Sequence, residues 1–245
     1  TMTATYDAYP SRTLSLVHSY NELLNELTKN TTDGLQISTA AAKLFNLSSI
    51  STVLTARPLM DPVPFEQKSI QKNKETTLIR YANPHALPVM HVSCRPLFLS
   101  SLDELLTIVK NPSYDEQNHV LLSSENKKYF PPTQASHATC NTTIQTIQNQ
   151  DLSQEYRIVN NESFPVVAVQ TFTKYPGWTA YVDDKEARIL TANIRYRGVI
   201  IPPGSHTLVI KNTSQSLSYG MYVTFATAAS ISCVLIYLMQ RKKLW

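Results

Sequence analysis

The sequence predicts an α+β protein with a mixed α/β N-terminal part, a β-sandwich C-terminal part and one C-terminal transmembrane helix. Three observations lead to this fold class. Residues 220–239 carry no charge, short alternating apolar runs fill the stretch before them, and helix and strand patterns are interspersed near the N-terminus. The predicted parts are a mixed α/β extracytoplasmic domain (residues 1–128), a β-sandwich extracytoplasmic domain (129–218), a transmembrane helix (219–240) and a cytoplasmic tail (241–245).

The N-terminal part combines helix and strand patterns. Apolar residues spaced by three and four predict an amphipathic helix over residues 14–27, and a second short helix is predicted over 38–45. Ser101 with Glu104 three residues later is a capping box that opens a further helix, which ends near Asn111. Residues 57–74 contain three prolines and predict a loop. Strands are predicted over residues 48–59, 76–81, 89–93 and 119–122.

The C-terminal part shows short runs of alternating apolar and polar residues, which are typical of a sandwich. Asp183-Asp184 and Pro202-Pro203-Gly204 supply two hairpin turns between these runs. Strands are predicted over residues 142–148, 155–159, 166–173, 179–182, 188–192, 199–201 and 207–210.

The uncharged segment at residues 220–239 is long enough for a membrane span. Twenty residues of helix measure about 30 Å at about 1.5 Å per residue, which matches a bilayer core. Arg241, Lys242 and Lys243 follow the segment, whereas Lys211 is the one basic residue in a stretch of similar length before it. The positive-inside bias therefore predicts a single span with residues 1–218 outside and the C-terminus in the cytoplasm.

Charge and glycine content exclude two function classes. The formal net charge is +4, but without the three basic tail residues 22 − 3 = 19 Lys and Arg face 18 Asp and Glu. A net charge of +1 does not indicate the basic surface that nucleic-acid binding requires. The five glycines do not form a Rossmann fingerprint or a P-loop. Since the chain opens without an apolar export signal, we expect a signal peptide or preceding membrane helices upstream.

The cysteines leave one question open. Cys233 lies in the predicted span, so only Cys94 and Cys140 can pair in an oxidising exterior. Their separation of 46 residues matches no disulfide framework. A bridge and two free thiols are both compatible with the sequence.

No residue is predicted as catalytic, cofactor-binding or metal-ligating, and no cofactor is expected. His85 and His91 lie near Cys94, but the histidines show no zinc-ligand spacing. Carboxylates occur in pairs that are adjacent in sequence. Because neighbouring side chains point in different directions, such a pair does not face one glycosidic bond, as cleavage would require. Each pair has a structural interpretation. Asp103-Glu104 is expected in the first turn of a helix, Asp115-Glu116 in a loop and Asp183-Asp184 at the tip of a hairpin.

A succession of motifs nevertheless carries a family resemblance. Residues 175–184 read Tyr-Pro-Gly-Trp-Thr-Ala-Tyr-Val-Asp-Asp, and Pro203-Gly-Ser-His-Thr follows them. With residues 44–55, the Asn83-Pro-His-Ala-Leu-Pro turn and a terminal span, this order resembles the C-terminal region of the YfhO family of bacterial multi-pass membrane proteins. Asp184 stands where that family usually has glycine.

The resemblance implies a relative of GT-C-type glycosyltransferases that use a polyprenyl-phosphate sugar outside the membrane. Their catalytic acid lies in an early exterior loop, which this chain does not contain, so no catalytic residue is transferred and enzyme activity stays uncertain. The expected function is an extracytoplasmic accessory domain; the alternative is a separate single-span interaction subunit of an envelope complex. Expected partners are the lipid bilayer, other transmembrane helices, and a lipid-linked sugar or envelope glycopolymer. We expect Trp178 and Tyr181 to pack in the sandwich rather than to bind sugar.

Overall fold

The structure is a computed structural model that describes residues 28–30, 32–60, 64–72, 77–130, 140–213 and 215–242. Strands outnumber helices among these residues and form four sheets. The chain is therefore a β-rich α+β protein, which confirms the coarse fold class predicted from the sequence. The amphipathic helix predicted over residues 14–27 lies outside the described residues.

Six short strands in the N-terminal part form two three-stranded sheets. They are β1 (Thr28–Asn30), β2 (Leu35–Ile37), β3 (Thr52–Thr55), β4 (Leu59–Met60), β5 (Glu66–Lys72) and β6 (Thr77–Ala82). The sheet orders are β1-β2-β4 and β3-β6-β5. The loop predicted over residues 57–74 is wrong, because β5 pairs with β6 throughout its length. Since β5 is exposed on both faces and mostly polar, it lacks the apolar alternation that identifies a strand.

Two short helices begin at serine caps, of which Ser101 was predicted as a cap, whereas Ser38 was predicted as the first residue of its helix. The helices are α1 (Thr39–Leu47) and α2 (Leu102–Lys110). Ser38 Oγ accepts from Ala41 N at 3.2 Å, and Ser101 Oγ accepts from Glu104 N at 3.2 Å. The return bond of the predicted capping box goes to Ser100, whose N–H donates to Glu104 Oε2 at 2.8 Å.

The remaining strands build a two-sheet sandwich. They are β7 (Met90–Ser93), β8 (Arg95–Leu99), β9 (His119–Ser123), β10 (Thr142–Gln150), β11 (Ser153–Asn160), β12 (Val166–Thr173), β13 (Trp178–Val182), β14 (Lys185–Ala187), β15 (Leu190–Ala192), β16 (Tyr196–Ile201) and β17 (Gly204–Asn212). One sheet has the order β7-β12-β16-β15-β9-β8, and the other has the order β10-β11-β17-β13-β14. The first sheet takes β7, β8 and β9 from before residue 128, so the predicted domain boundary does not separate the sheets.

Apolar side chains from both sheets meet in one core. Alternating positions on each strand supply it, for example Val166 and Ala168 on β12 and Leu208 and Ile210 on β17. Burial of a valine, leucine or isoleucine side chain contributes about 1.5–3 kcal/mol before entropy is subtracted. A second core packs α1 and α2 against β9, with Leu121 buried between them.

One of the two predicted hairpin turns is present. The other is wrong, because the Pro202-Pro203-Gly204 turn joins β16 of the six-stranded sheet to β17 of the five-stranded sheet, and these strands do not pair. Asp183 (φ 50°) and Asp184 (φ 63°) adopt the left-handed backbone that a two-residue hairpin requires, and Gly204 has φ 116°. Asp183 also anchors β17, which pairs with β13, because its carboxylate accepts from Thr207 N at 2.9 Å and lies 2.6 Å from His206 Nδ1. The Thr207 and His206 bonds lower the pKa of Asp183, and Asp183 in turn raises the pKa of His206.

A disulfide between Cys94 and Cys140 resolves the question that the sequence left open. Their Cα atoms are 5.7 Å apart. Cys94 directly follows β7 and Cys140 shortly precedes β10, which are the outer strands of the two sheets at one edge. The bridge therefore ties one sheet of the sandwich to the other.

The C-terminal helix α3 (Gln215–Lys242) follows β17. It carries large apolar side chains that are exposed, among them Tyr222, Phe225 and Ile231. Over the described part of the chain, no helix combines the length and the apolar character that crossing a membrane requires. The transmembrane assignment of residues 219–240 is therefore not supported by the structure.

Candidate functional site

A cavity of about 430 Å³ opens at one end of the sandwich. This volume lies within the range of small-molecule sites. Its wall contains the Tyr175-Pro-Gly-Trp motif singled out in the sequence, together with residues of the chain that runs from β14 to β15. The charged and aromatic members of the wall are Lys174, Tyr175, Trp178, Glu186, Arg188 and Arg195.

The cavity forms where the chain changes sheets. β14 belongs to the five-stranded sheet, where Ala187 pairs with Ala180. Three residues later β15 belongs to the six-stranded sheet, where Leu190 pairs with Gly198. Arg188 and Ile189 bridge the two layers, so the sheets separate beside them. Gly198 lies on β16, beside β15 in the six-stranded sheet, and has no room for a side chain, because an added Cβ would lie 3.0 Å from the Ala192 Cβ.

Trp178 lines the cavity and stacks on Arg197, which does not line it. The guanidinium carbon of Arg197 lies 3.7 Å from the centre of the Trp178 ring. Arg197 is 4% exposed, and it donates to Gln170 Oε1 at 3.1 Å and to the Thr173 carbonyl at 3.3 Å. Burial lowers the pKa of Arg197 to about 10, so the side chain keeps its charge at neutral pH. Trp178 thus packs on a buried cation.

Polar side chains between the sheets hold Arg197 in place. Gln170 is fully buried on β12, and its Nε2 donates to Tyr156 OH at 3.2 Å and contacts Gln154 Oε1 at 3.5 Å. Burial raises the pKa of Tyr156, which keeps its hydroxyl protonated. Each side chain of this network has a hydrogen-bond partner. The network therefore orients the Arg197 guanidinium without the free-energy penalty of leaving those side chains buried and unpaired.

Three cations line the cavity wall, namely Lys174, Arg188 and Arg195. Lys174 Nζ donates to Thr191 Oγ1 at 3.3 Å, and Arg188 Nη1 donates to Tyr129 OH at 2.6 Å. Burial and then repulsion from Arg188 lower the pKa of Lys174. Neither Lys174 nor Arg188 forms an ion pair with a carboxylate among the residues that the structure describes. The wall therefore has an excess of positive charge.

The turn at the edge of the cavity is strained. Asn193 and Ile194 have φ 46° and 78°, and a positive φ is unfavourable for a β-branched residue such as Ile194. The turn is held by β9, because Asn193 N donates to the Leu121 carbonyl at 2.8 Å and Asn193 Oδ1 accepts from Leu121 N at 3.0 Å. Ile194 lines the cavity and also packs against the helical core.

A second cavity lies between β7 and β10 and does not contain a metal-ligand set. His91 is buried there, and its Nδ1 lies 3.1 Å from the Pro88 carbonyl, so Nδ1 carries the proton. Burial lowers the pKa of His91. Cys94 is consumed by the disulfide and offers no thiolate. Within the described ranges, no three His, Cys, Asp or Glu side chains are placed to hold a metal ion.

The three acid pairs occupy the structural positions predicted for them. Asp103 and Glu104 lie in the first turn of α2, and Asp183 with Asp184 forms a hairpin tip. In the loop after α2, Asp115 Oδ1 accepts from Gln117 N at 3.0 Å. Its neighbour Glu116 accepts from the Asn46 side chain at 2.7 Å.

The fold and site define a disulfide-linked β-sandwich with a cationic, aromatic cavity at one end. No family model matches the chain, and neither the curated proteins nor the solved structures include a detectable relative.

Proposed function

We propose that this chain is an extracytoplasmic accessory domain of a bacterial membrane protein of the lipid-linked-sugar glycosyltransferase type, with the catalytic part outside this chain. The disulfide between Cys94 and Cys140 is the observation that carries the exterior location. Disulfides persist in oxidising compartments and are rare in the reducing cytosol. The glycosyltransferase class rests on the motif resemblance alone.

The chemistry of the cavity favours binding over catalysis. Its wall contains one carboxylate, Glu186, whereas glycosidic cleavage by the usual route needs a pair of acids on either side of the bond. Of the described residues that line it, none is a serine, cysteine or histidine. Its aliphatic hydroxyls belong to Thr179 and Thr191, and Thr191 Oγ1 accepts a hydrogen bond from Lys174.

Attachment to the membrane through α3 is part of the proposal. The exposed apolar side chains of α3 would need a cover, and contiguous exposed apolar surface marks a membrane or protein contact. Arg241, Lys242 and Lys243 at the end of the chain favour a cytoplasmic C-terminus. Residues 1–218 would then lie outside the bilayer.

Protease accessibility in spheroplasts tests this topology. In cells that produce the protein with a C-terminal epitope, added protease should digest the sandwich and leave a membrane-bound fragment that keeps the epitope. Permeabilised spheroplasts, in which the epitope should also be lost, are the control. Cleavage near Arg241 from outside, with the sandwich protected, would show the opposite topology.

A further inference from the structure

We propose that the cavity beside Trp178 binds a phosphate-bearing carbohydrate, with Lys174 and Arg188 holding the phosphate and the aromatic side chains contacting the sugar ring. This inference goes beyond the proposed location, since the site would bind its ligand in either compartment. Failure of the binding experiment and failure of the topology experiment are therefore distinguishable.

The charge distribution selects an anionic ligand. Lys174 and Arg188 donate to neutral oxygens of Thr191 and Tyr129, and neither forms an ion pair among the described residues. The carboxylate of Glu125 acts on Lys174 only from a distance and is outweighed there by burial and by the charge of Arg188. The buried charge of Arg197 lies directly behind the indole ring and adds to the positive potential. A phosphate accepts charge-assisted hydrogen bonds from both an ammonium and a guanidinium group.

The aromatic and hydroxyl groups select a sugar as the remainder of the ligand. Tyr175 is 46% exposed at the wall, and Trp178 is partly buried beside it, so both rings offer apolar surface next to the cations. Glu186 and Thr191 provide oxygens in the same wall that suit the hydroxyls of a sugar. A cavity of about 430 Å³ has the size of a small-ligand site and not of an extended polymer groove.

The wall is also fixed before any ligand arrives. The Arg197 stack sets the indole orientation, and two backbone-directed bonds of Asn193 hold the strained turn that carries Ile194. A preformed site loses less conformational entropy on binding than a flexible one. The geometry therefore suits recognition of a small, rigid group.

Tryptophan fluorescence of the full chain in detergent tests the proposal. The sequence has two tryptophans, so a Trp245→Phe background leaves Trp178 as the single reporter. Glucose 1-phosphate at neutral pH and low salt should give a saturable change with a dissociation constant below about 1 mM, which is about −4 kcal/mol. Methyl glucoside and inorganic phosphate should each bind at least tenfold more weakly, since each supplies only half of the recognised chemistry.

Matched variants connect binding to the cavity. Lys174→Met with Arg188→Gln should weaken glucose 1-phosphate binding at least tenfold without lowering the melting temperature. The control pair, Lys185→Met with Arg157→Gln, removes the same charges from exposed positions outside the cavity and should leave binding unchanged.

Four results would overturn the proposal. They are the absence of saturable binding, equal loss of affinity in the cavity and control variants, phosphate binding as tightly as glucose 1-phosphate, and tighter binding of adenosine monophosphate than of the sugar phosphate. The third result would reduce the site to an anion site. The fourth would identify a nucleotide site. A vesicle containing a polyprenyl-phosphate sugar, compared with the free sugar phosphate, distinguishes a lipid headgroup from a soluble ligand.

Discussion

Replacing Trp178 with alanine should lower the free energy of unfolding by about 3 kcal/mol, at the lower end of the range for removing a large aromatic side chain. Trp178 packs against the sandwich core and forms the face on which the buried guanidinium of Arg197 stacks. The substitution would leave a cavity and would remove the closer of the two aromatic rings beside the buried cation, since the centre of the Phe172 ring lies 5.8 Å from the guanidinium carbon. For a domain of this size, a loss of 3 kcal/mol corresponds to a fall in melting temperature of about 6–12 °C.

Tyr175→Ala is the matched control for this experiment. Tyr175 lines the same cavity but is 46% exposed, so its replacement should cost less than about 1 kcal/mol. Urea denaturation monitored by circular dichroism measures both variants. If Trp178→Ala unfolded at the wild-type urea concentration, the indole would not be a packing residue, and its role would be confined to ligand binding.

Removing the disulfide with Cys94→Ser and Cys140→Ser should cost about 4 kcal/mol. The two cysteines are 46 residues apart, and the loop-closure model gives about this value for a loop of that length. The bridge joins the outer strands β7 and β10, so its loss should first open this edge of the sandwich. Cys233→Ser is the control, because Cys233 is a free, exposed cysteine and should not affect stability.

Hydrogen exchange locates the effect of the serine substitutions. Amides of β7 and β10 should lose protection more than those of β17 and β13, which lie two and three strands away from β10 in the five-stranded sheet. An unchanged midpoint in urea, or uniform loss of protection across both sheets, would contradict the role assigned to the bridge.

Local sequence signals predicted much of the sandwich. The run over Val166–Thr173 coincides with β12, because apolar residues on both of its faces are buried and leave a β-branched run in the sequence. Asp183 and Asp184 tolerate a positive φ, so the hairpin between β13 and β14 was readable without a glycine. Ser101 likewise identified the start of α2.

Elements defined by long-range contacts were not predictable in this way. β5 has few apolar residues and depends on pairing with β6, and β8 contains Pro96, which argues against a strand except at a sheet edge. The partner of Cys94 was also undetermined, because spacing alone does not bring two cysteines together.

The candidate site shows the same division. The Tyr175-Pro-Gly-Trp motif drew attention to Trp178, and Trp178 does pack against the sandwich core as predicted. Arg197 had no sequence signal, since it is one arginine in a strand nineteen positions further along the chain. Only the packing of the two sheets against each other places its guanidinium on the indole, while its Nη1 donates one hydrogen bond to Gln170.

The oxidation state of Cys94 and Cys140 in living cells tests the central claim most directly. Thiols are trapped with an alkylating reagent as cells are lysed, the protein is denatured and digested without reduction, and peptides are identified by mass spectrometry. The account predicts a Cys94–Cys140 disulfide peptide, while Cys233 is recovered alkylated as an internal control. Recovery of both Cys94 and Cys140 as alkylated thiols would contradict the extracytoplasmic location.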